Sequence, residues 1–67
     1  MNIYVNGRNI DLPDTEITIS ELFDSYNIQK RTSVVEHNKE IVSRNDYKNT
    51  KVANGDTLEI VHFVGGG

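Results

Sequence analysis

Cysteine is absent from the 67-residue chain. Its absence excludes disulfide staples, zinc–thiolate sites and cysteine nucleophiles, and it fits a reducing compartment. No stretch approaches the ~20 apolar residues needed to cross a bilayer, so no membrane association is expected. The opening residues, "MNIYVNGRN", lack the basic and apolar regions of a signal peptide, and the expected location is the cytoplasm. Cations are scarce as well, with seven Lys and Arg against ten Asp and Glu and a net charge of −3. Arg8, Lys30, Arg31, Lys39, Arg44, Lys48 and Lys51 are scattered along the chain. A phosphate backbone calls for a basic stripe, so nucleic acid is not an expected partner, while the mild acidic bias suits a basic one. The two histidines, His37 and His62, have no acidic cluster beside them, and no metal site is expected. Catalytic patterns are missing too: there is no nucleophilic triad, paired-carboxylate site or phosphate-binding loop.

The chain is long enough for one domain. A chain of this size buries only about 60 % of its unfolded surface, so its core has little to spare. In "NIYVNGRNIDL", Ile3 and Val5 alternate with polar residues, and so do Ile10 and Leu12. Asn6-Gly7 between the two runs marks a type I′ hairpin, whose central positions both need φ > 0. Pro13 has no N–H to donate and suits the end of the second strand. In "ITISELFDSYNI", Thr18 and Glu21 form a capping box, and Ile17 can staple onto Leu22. Ile19, Leu22, Phe23 and Tyr26 then make one apolar stripe at helical spacing, and Asn27 is a natural stop. "TSVVEHNKEIVSR" reads as a second hairpin turning at Asn38-Lys39. "NDYKNTKV" reads as a short helical turn with Tyr47 and Val52 pointing inward; "ANGD" is a turn and "TLEIVHFV" a last strand. In that strand Leu58 and Ile60 share one face, while Glu59, Val61 and Phe63 share the other.

The resulting order is β-β-α-β-β-(short helical turn)-β. It predicts an α+β roll of the β-grasp, ubiquitin-like kind: a mixed five-stranded sheet packed on one main helix. The first and last strands lie side by side and parallel, joined through the helix by a right-handed crossover. The expected organisation is a single domain over residues 1–64 followed by a glycine tail over 65–67.

Three consecutive glycines, Gly65, Gly66 and Gly67, follow the last strand. Frayed termini and expression scars also end in glycine, and that plain explanation stands beside a functional one. Ordering such a tail costs about 1–2 kcal/mol per residue, so it contributes nothing to the fold. Lacking Cβ atoms, it can thread a slot barely wider than the backbone and deliver its last carbonyl carbon to another protein's active site. A free α-carboxylate is ionised at neutral pH and inert as an acyl donor. Transfer to an AMP group would make a mixed anhydride, and a sulfur nucleophile could then displace AMP to leave a thiocarboxylate. The chain would need no base, metal or cysteine of its own.

"MNIYVNG", "ITISELF", "VVEHNKEIVSR" and above all "NGDTLEIVHFVGGG" resemble the ThiS family of thiamine-biosynthesis sulfur carriers over essentially the whole chain. Ser43 departs from the pattern, since many relatives carry proline there, a change that bears on a turn more than on the chemistry. The resemblance implies a protein co-substrate, not an enzyme, expected to be a monomer when free. It implies an adenylating enzyme of the ThiF type, related to ubiquitin-activating enzymes, which would use ATP and Mg²⁺ to charge Gly67. The chain itself would bind no cofactor. A cysteine desulfurase or other sulfur donor would supply the sulfur, and thiazole synthase would accept it. Gly67 is then the reactive residue, with Gly65 and Gly66 as the threadable tail. Val61, Phe63 and, if Val35 points inward, Val34 are the candidate partner contacts. His62 shares parity with Leu58 and Ile60 and is expected at the core edge or tipped into solvent, not as an acid or base; Tyr26 and Tyr47 are expected in the core. Three alternatives remain open at this stage: a carrier of the molybdopterin synthase small-subunit type, a ubiquitin-like modifier, and a binding module with an incidental tail.

Overall fold

The computed structural model of the chain describes residues 1–63. Strand β1 (Asn2–Val5) turns at Asn6-Gly7 into β2 (Arg8–Asp11), with Ile3 opposite Ile10. Asn6 and Gly7 have φ of 51° and 82°, the left-handed pair that a type I′ turn demands. Two residues of β3 (Ile17–Thr18) lead into α1 (Ile19–Ser25), and a 3₁₀ turn over Lys30–Thr32 precedes β4 (Ser33–His37). Strand β5 (Glu40–Val42) follows a turn in which Asn38 and Lys39 both have positive φ. A second 3₁₀ turn (Arg44–Asp46) leads to β6 (Lys51–Val52) and then to β7 (Thr57–His62).

The main sheet runs β2-β1-β7-β4-β5, and among the described residues β1 and β7 are its parallel neighbours while the other pairs are antiparallel. That is the mixed five-stranded β-grasp sheet, with the first and last main strands adjacent at its centre. The extra pair, β3 with β6, forms a separate two-stranded ribbon that the sequence pattern did not reveal. The ribbon brings the 47–50 segment to the helix start, where Ile19 N–H donates to Thr50 O at 2.9 Å and Ser20 N–H to Tyr47 O at 3.0 Å. Two of the helix's first N–H groups, which have no partner inside the helix, are thereby satisfied.

The capping box forms as expected: Thr18 Oγ1 accepts from Glu21 N–H at 3.1 Å and Glu21 Oε1 accepts from Thr18 N–H at 2.9 Å. Ile3, Ile19, Leu22, Phe23, Val35 and Leu58 are fully buried between helix and sheet. Tyr47 joins them, its ring tilted against Phe23 with centroids 5.2 Å apart. Burial pushes its phenol pKa up, with Arg44 pulling the other way. Tyr26 does not join the core, contrary to expectation. The helix is only seven residues long, Tyr26 is its non-helical C-cap, and the side chain is 49 % exposed. The stripe closes one residue too early for the i+7 position to face inward. Asn27, at φ 55°, makes the stop.

Candidate functional site

Strand β7 is central to the sheet and leads toward the glycines. Its beginning is tied down by side chains. Asp56 accepts from Ala53 N–H at 2.8 Å and Asn38 Nδ2 at 3.1 Å, and its Oδ2 lies 2.6 Å from His37 Nε2. Burial works to raise the Asp56 pKa, but hydrogen bonds from His37, Ala53 and Asn38 outweigh it and hold the carboxyl below its ordinary value. Asn38 adds a clasp of its own: its N–H donates to Thr57 O at 2.8 Å and its Oδ1 accepts from Thr57 N–H at 2.9 Å. One residue on the other side of the sheet, Asn2, donates its N–H to Asn54 Oδ1 at 2.7 Å. The "NGD" turn is thus joined to both strands that flank β7.

The middle of β7 is served by Asn6. Its Nδ2 donates to Ile60 O at 3.1 Å and its Oδ1 accepts from Ile60 N–H at 2.7 Å. Strand β1 has ended at Val5, and this amide side chain extends the ladder where backbone no longer can. Sequence reasoning assigned Asn6 to the turn alone. Nothing local marks its second role, because the partner lies 54 residues away.

Alternation along β7 places Leu58 and Ile60 in the core and Glu59, Val61 and Phe63 on the outer face. Val61 and Phe63 are 56 % and 61 % exposed. Val35 is buried, so its neighbour Val34 faces outward and lies directly opposite Val61 in the β4–β7 register. The three expected contact residues are therefore brought to one side of two adjacent strands. Ile41 on β5 was not singled out, yet it is 73 % exposed and pairs with outward-facing Glu36. Its run, "KEIV", is too short for parity to decide which way it points.

At the far end Phe63 N–H donates to Thr32 O at 2.8 Å, and His62 Nδ1 lies 2.9 Å from Ser33 Oγ. His62 is an exposed residue at the end of the strand, bound to a buried serine hydroxyl. The expected reactive residue Gly67 and the expected tail glycines Gly65 and Gly66 lie outside the described residues, as does Val64 at the expected domain edge. Among the described residues no cluster of His, Asp and Glu could hold a metal ion, and no helix is long and apolar enough to cross a membrane.

Comparison with known proteins agrees with this arrangement. The crystal structure of the thiamine biosynthesis protein ThiS from Geobacter metallireducens superposes with a TM-score of 0.87 at 32 % identity, covering 100 % of both chains. The sulfur carrier protein ThiS of Bacillus subtilis is 37 % identical over 65 residues, which is 97 % of this chain and 98 % of that protein. A thiazole synthase of Paramagnetospirillum magneticum is 36 % identical over 67 residues, taking in 100 % of this chain but only 20 % of its own length. A family model of the ThiS family matches residues 3–67, and with a full-length relative at this identity the chain belongs to the ThiS family.

Proposed function

We propose that the chain, a sulfur carrier of thiamine biosynthesis, bears its sulfur on the α-carboxyl carbon of Gly67. The observation that carries the proposal is the position of β7: the central strand of the main sheet is the last element before Gly65, Gly66 and Gly67 in the sequence. A rigid body of this kind presents a backbone too slender to clash with a narrow active-site channel. The domain is a co-substrate, and partners supply the catalysis.

Two transfers suffice. A Gly67 carboxylate oxygen attacks the α-phosphorus of ATP on a ThiF-type adenylating enzyme, with Mg²⁺ assisting there. Pyrophosphate leaves and an acyl adenylate remains. A sulfur nucleophile then attacks the carbonyl carbon and expels AMP. Sulfide gives the thiocarboxylate at once. If the donor is a cysteine persulfide, as on a cysteine desulfurase, the product is an acyl disulfide, and a second thiol reduces it to release the thiocarboxylate. Thiazole synthase is the recipient. A segment resembling this entire chain forms part of some thiazole synthases, which supports a working association between the two. The need for ATP agrees with action in the cytoplasm.

Val61, Phe63 and Val34 form the grip. Val61 and Phe63 stand just before the glycines in the sequence, with Val34 opposite Val61, and an enzyme that threads the glycines must also hold the domain. Incubation with a ThiF-type enzyme, ATP and a sulfur donor should yield the mass of one oxygen replaced by sulfur, localised to Gly67. If no such species forms while the enzyme charges a known carrier, the proposal is wrong.

A further inference from the structure

Among the described residues, the charged side chains that strand alternation turns to the outer face of the sheet are all acidic. Along β1, β2, β4, β5 and β7 the alternation turns Asn2, Tyr4, Asn9, Asp11, Val34 and Glu36 outward, together with Ile41, Thr57, Glu59 and Val61. The charged members are Asp11, Glu36 and Glu59; Asp11 has the N-terminal ammonium of Met1 3.8 Å away, and the other two have no salt-bridge partner among the described residues. Two of them sit together: Glu36 and Glu59 are directly opposite in the β4–β7 register. Directly opposed positions on antiparallel strands have Cα atoms about 5.5 Å apart when hydrogen-bonded, and like charges so placed are destabilising. Among the described residues no Lys, Arg or His forms a salt bridge with either carboxylate, although Lys30, His37 and Lys51 all pair with other acids.

On the side toward Phe63 the neighbours of the pair are apolar. Ile41 stands beside Glu36 on β5, and Val34 and Val61 form the next outward row toward the tail. Rows on one face repeat every second residue, about 7 Å along the strand. From the glycines inward, the face therefore reads Phe63, then Val34 with Val61, then Glu36 with Glu59 flanked by Ile41.

We propose that Glu36 and Glu59 are the polar half of the docking face and receive an arginine of the adenylating enzyme, beside the apolar half at Val34, Val61 and Phe63. This inference rests on the carrier reading and deepens it. The planar guanidinium fork can meet two carboxylates at once, which the point charge of a lysine cannot do as well. The occupant is the adenylating enzyme because the pair continues, on the same two strands, the row of Val34 and Val61 that the carrier reading gives to that enzyme's grip, and an acidic pair there favours a cationic partner surface. An arginine between the two carboxylates would offset their like-charge repulsion in the complex.

The test uses the full chain with Glu36→Gln, Glu59→Gln and the double substitution, assayed by ATP–pyrophosphate exchange on a ThiF-type enzyme and by thermal melting. The double variant should raise the KM for the carrier at least about tenfold, the loss expected from a charge-assisted bond, with the effect falling on KM and not on kcat. Added salt should weaken the wild type more than the variant. Its Tm should rise, because repulsion is removed. An unchanged KM overturns the proposal, and so does a KM that worsens together with a falling Tm, which would mean general damage to the fold. An unchanged KM with weakened binding to thiazole synthase would overturn the choice of occupant. If the wild-type chain is not charged at all, the carrier reading itself fails and takes this proposal with it. A charged wild type with an indifferent variant refutes the docking pair alone.

Discussion

The two ends of β7 are held by different means. Where the strand begins, Asp56, Asn38, Asn54 and His37 lock the turn to strands on both sides through side-chain and backbone hydrogen bonds. Toward its other end, among the described residues, Phe63 N–H donates to Thr32 O and His62 Nδ1 lies against Ser33 Oγ, beside the β4–β7 ladder. Its inner and outer faces also differ, with Leu58 and Ile60 in the core and Val61 and Phe63 exposed.

That division can be tested most severely at the tail. Deleting Gly67 should abolish sulfur transfer, measured as thiocarboxylate by intact mass, while Tm stays where it was. A large fall in Tm would mean that the glycines serve the fold.

The faces of β7 should separate next. Leu58→Ala removes a fully buried side chain and should cost about 2–5 kcal/mol in denaturant unfolding, a large share of what a domain this small possesses. Phe63→Ala should change unfolding by less than about 1 kcal/mol, as befits an exposed residue, yet raise the KM for the carrier in adenylation. If the two variants exchange these phenotypes, the outer face is part of the core.

The anchored end makes a prediction about pH. Asp56 titrates below its ordinary value of 3.8 when folded, so the folded state favours its ionised form. The stability it contributes is fully present above that ordinary value and is lost as pH falls through the lower, folded one. Asp56→Asn should cost about 1–3 kcal/mol at neutral pH and flatten the acid limb of the stability curve. An acid limb as steep as the wild type's would show that other carboxylates govern it.

The smallest effect concerns Ser43. Its φ of −64° and ψ of 143° already match proline's fixed geometry, and it precedes a 3₁₀ turn. Ser43→Pro should stabilise the domain by about 0.4–1 kcal/mol through the unfolded chain, seen as a small rise in Tm. Sulfur transfer should not change.

The strongest local signals were read correctly because each is decided within a few residues. Asn6-Gly7 and Asn38-Lys39 take positive φ, Thr18 and Glu21 cap each other, and Leu58 alternates with Glu59. Tyr26 was misjudged because the helix length is set by where the chain must leave for the sheet, and periodicity carries no record of that. The β3–β6 ribbon escaped notice because two residues are too few to show a period, and what makes them a strand is a partner 35 residues away, Ile17 with Val52. Of the candidate site, the outward parity of Val61 and Phe63 was legible, and Val34 followed once Val35 was placed inward.

Sequence by itself determined the order of elements, the turns, the helix cap and the glycine ending, since these depend on backbone preferences and on alternation between neighbours. Only the tertiary structure decided that Asn6 would mend the ladder at Ile60, that Asp56 would bind His37, and that Glu36 would face Glu59. Those pairings join residues 19 to 54 positions apart. Register between distant strands is fixed by the packing of the whole core, and no local run of residues encodes it.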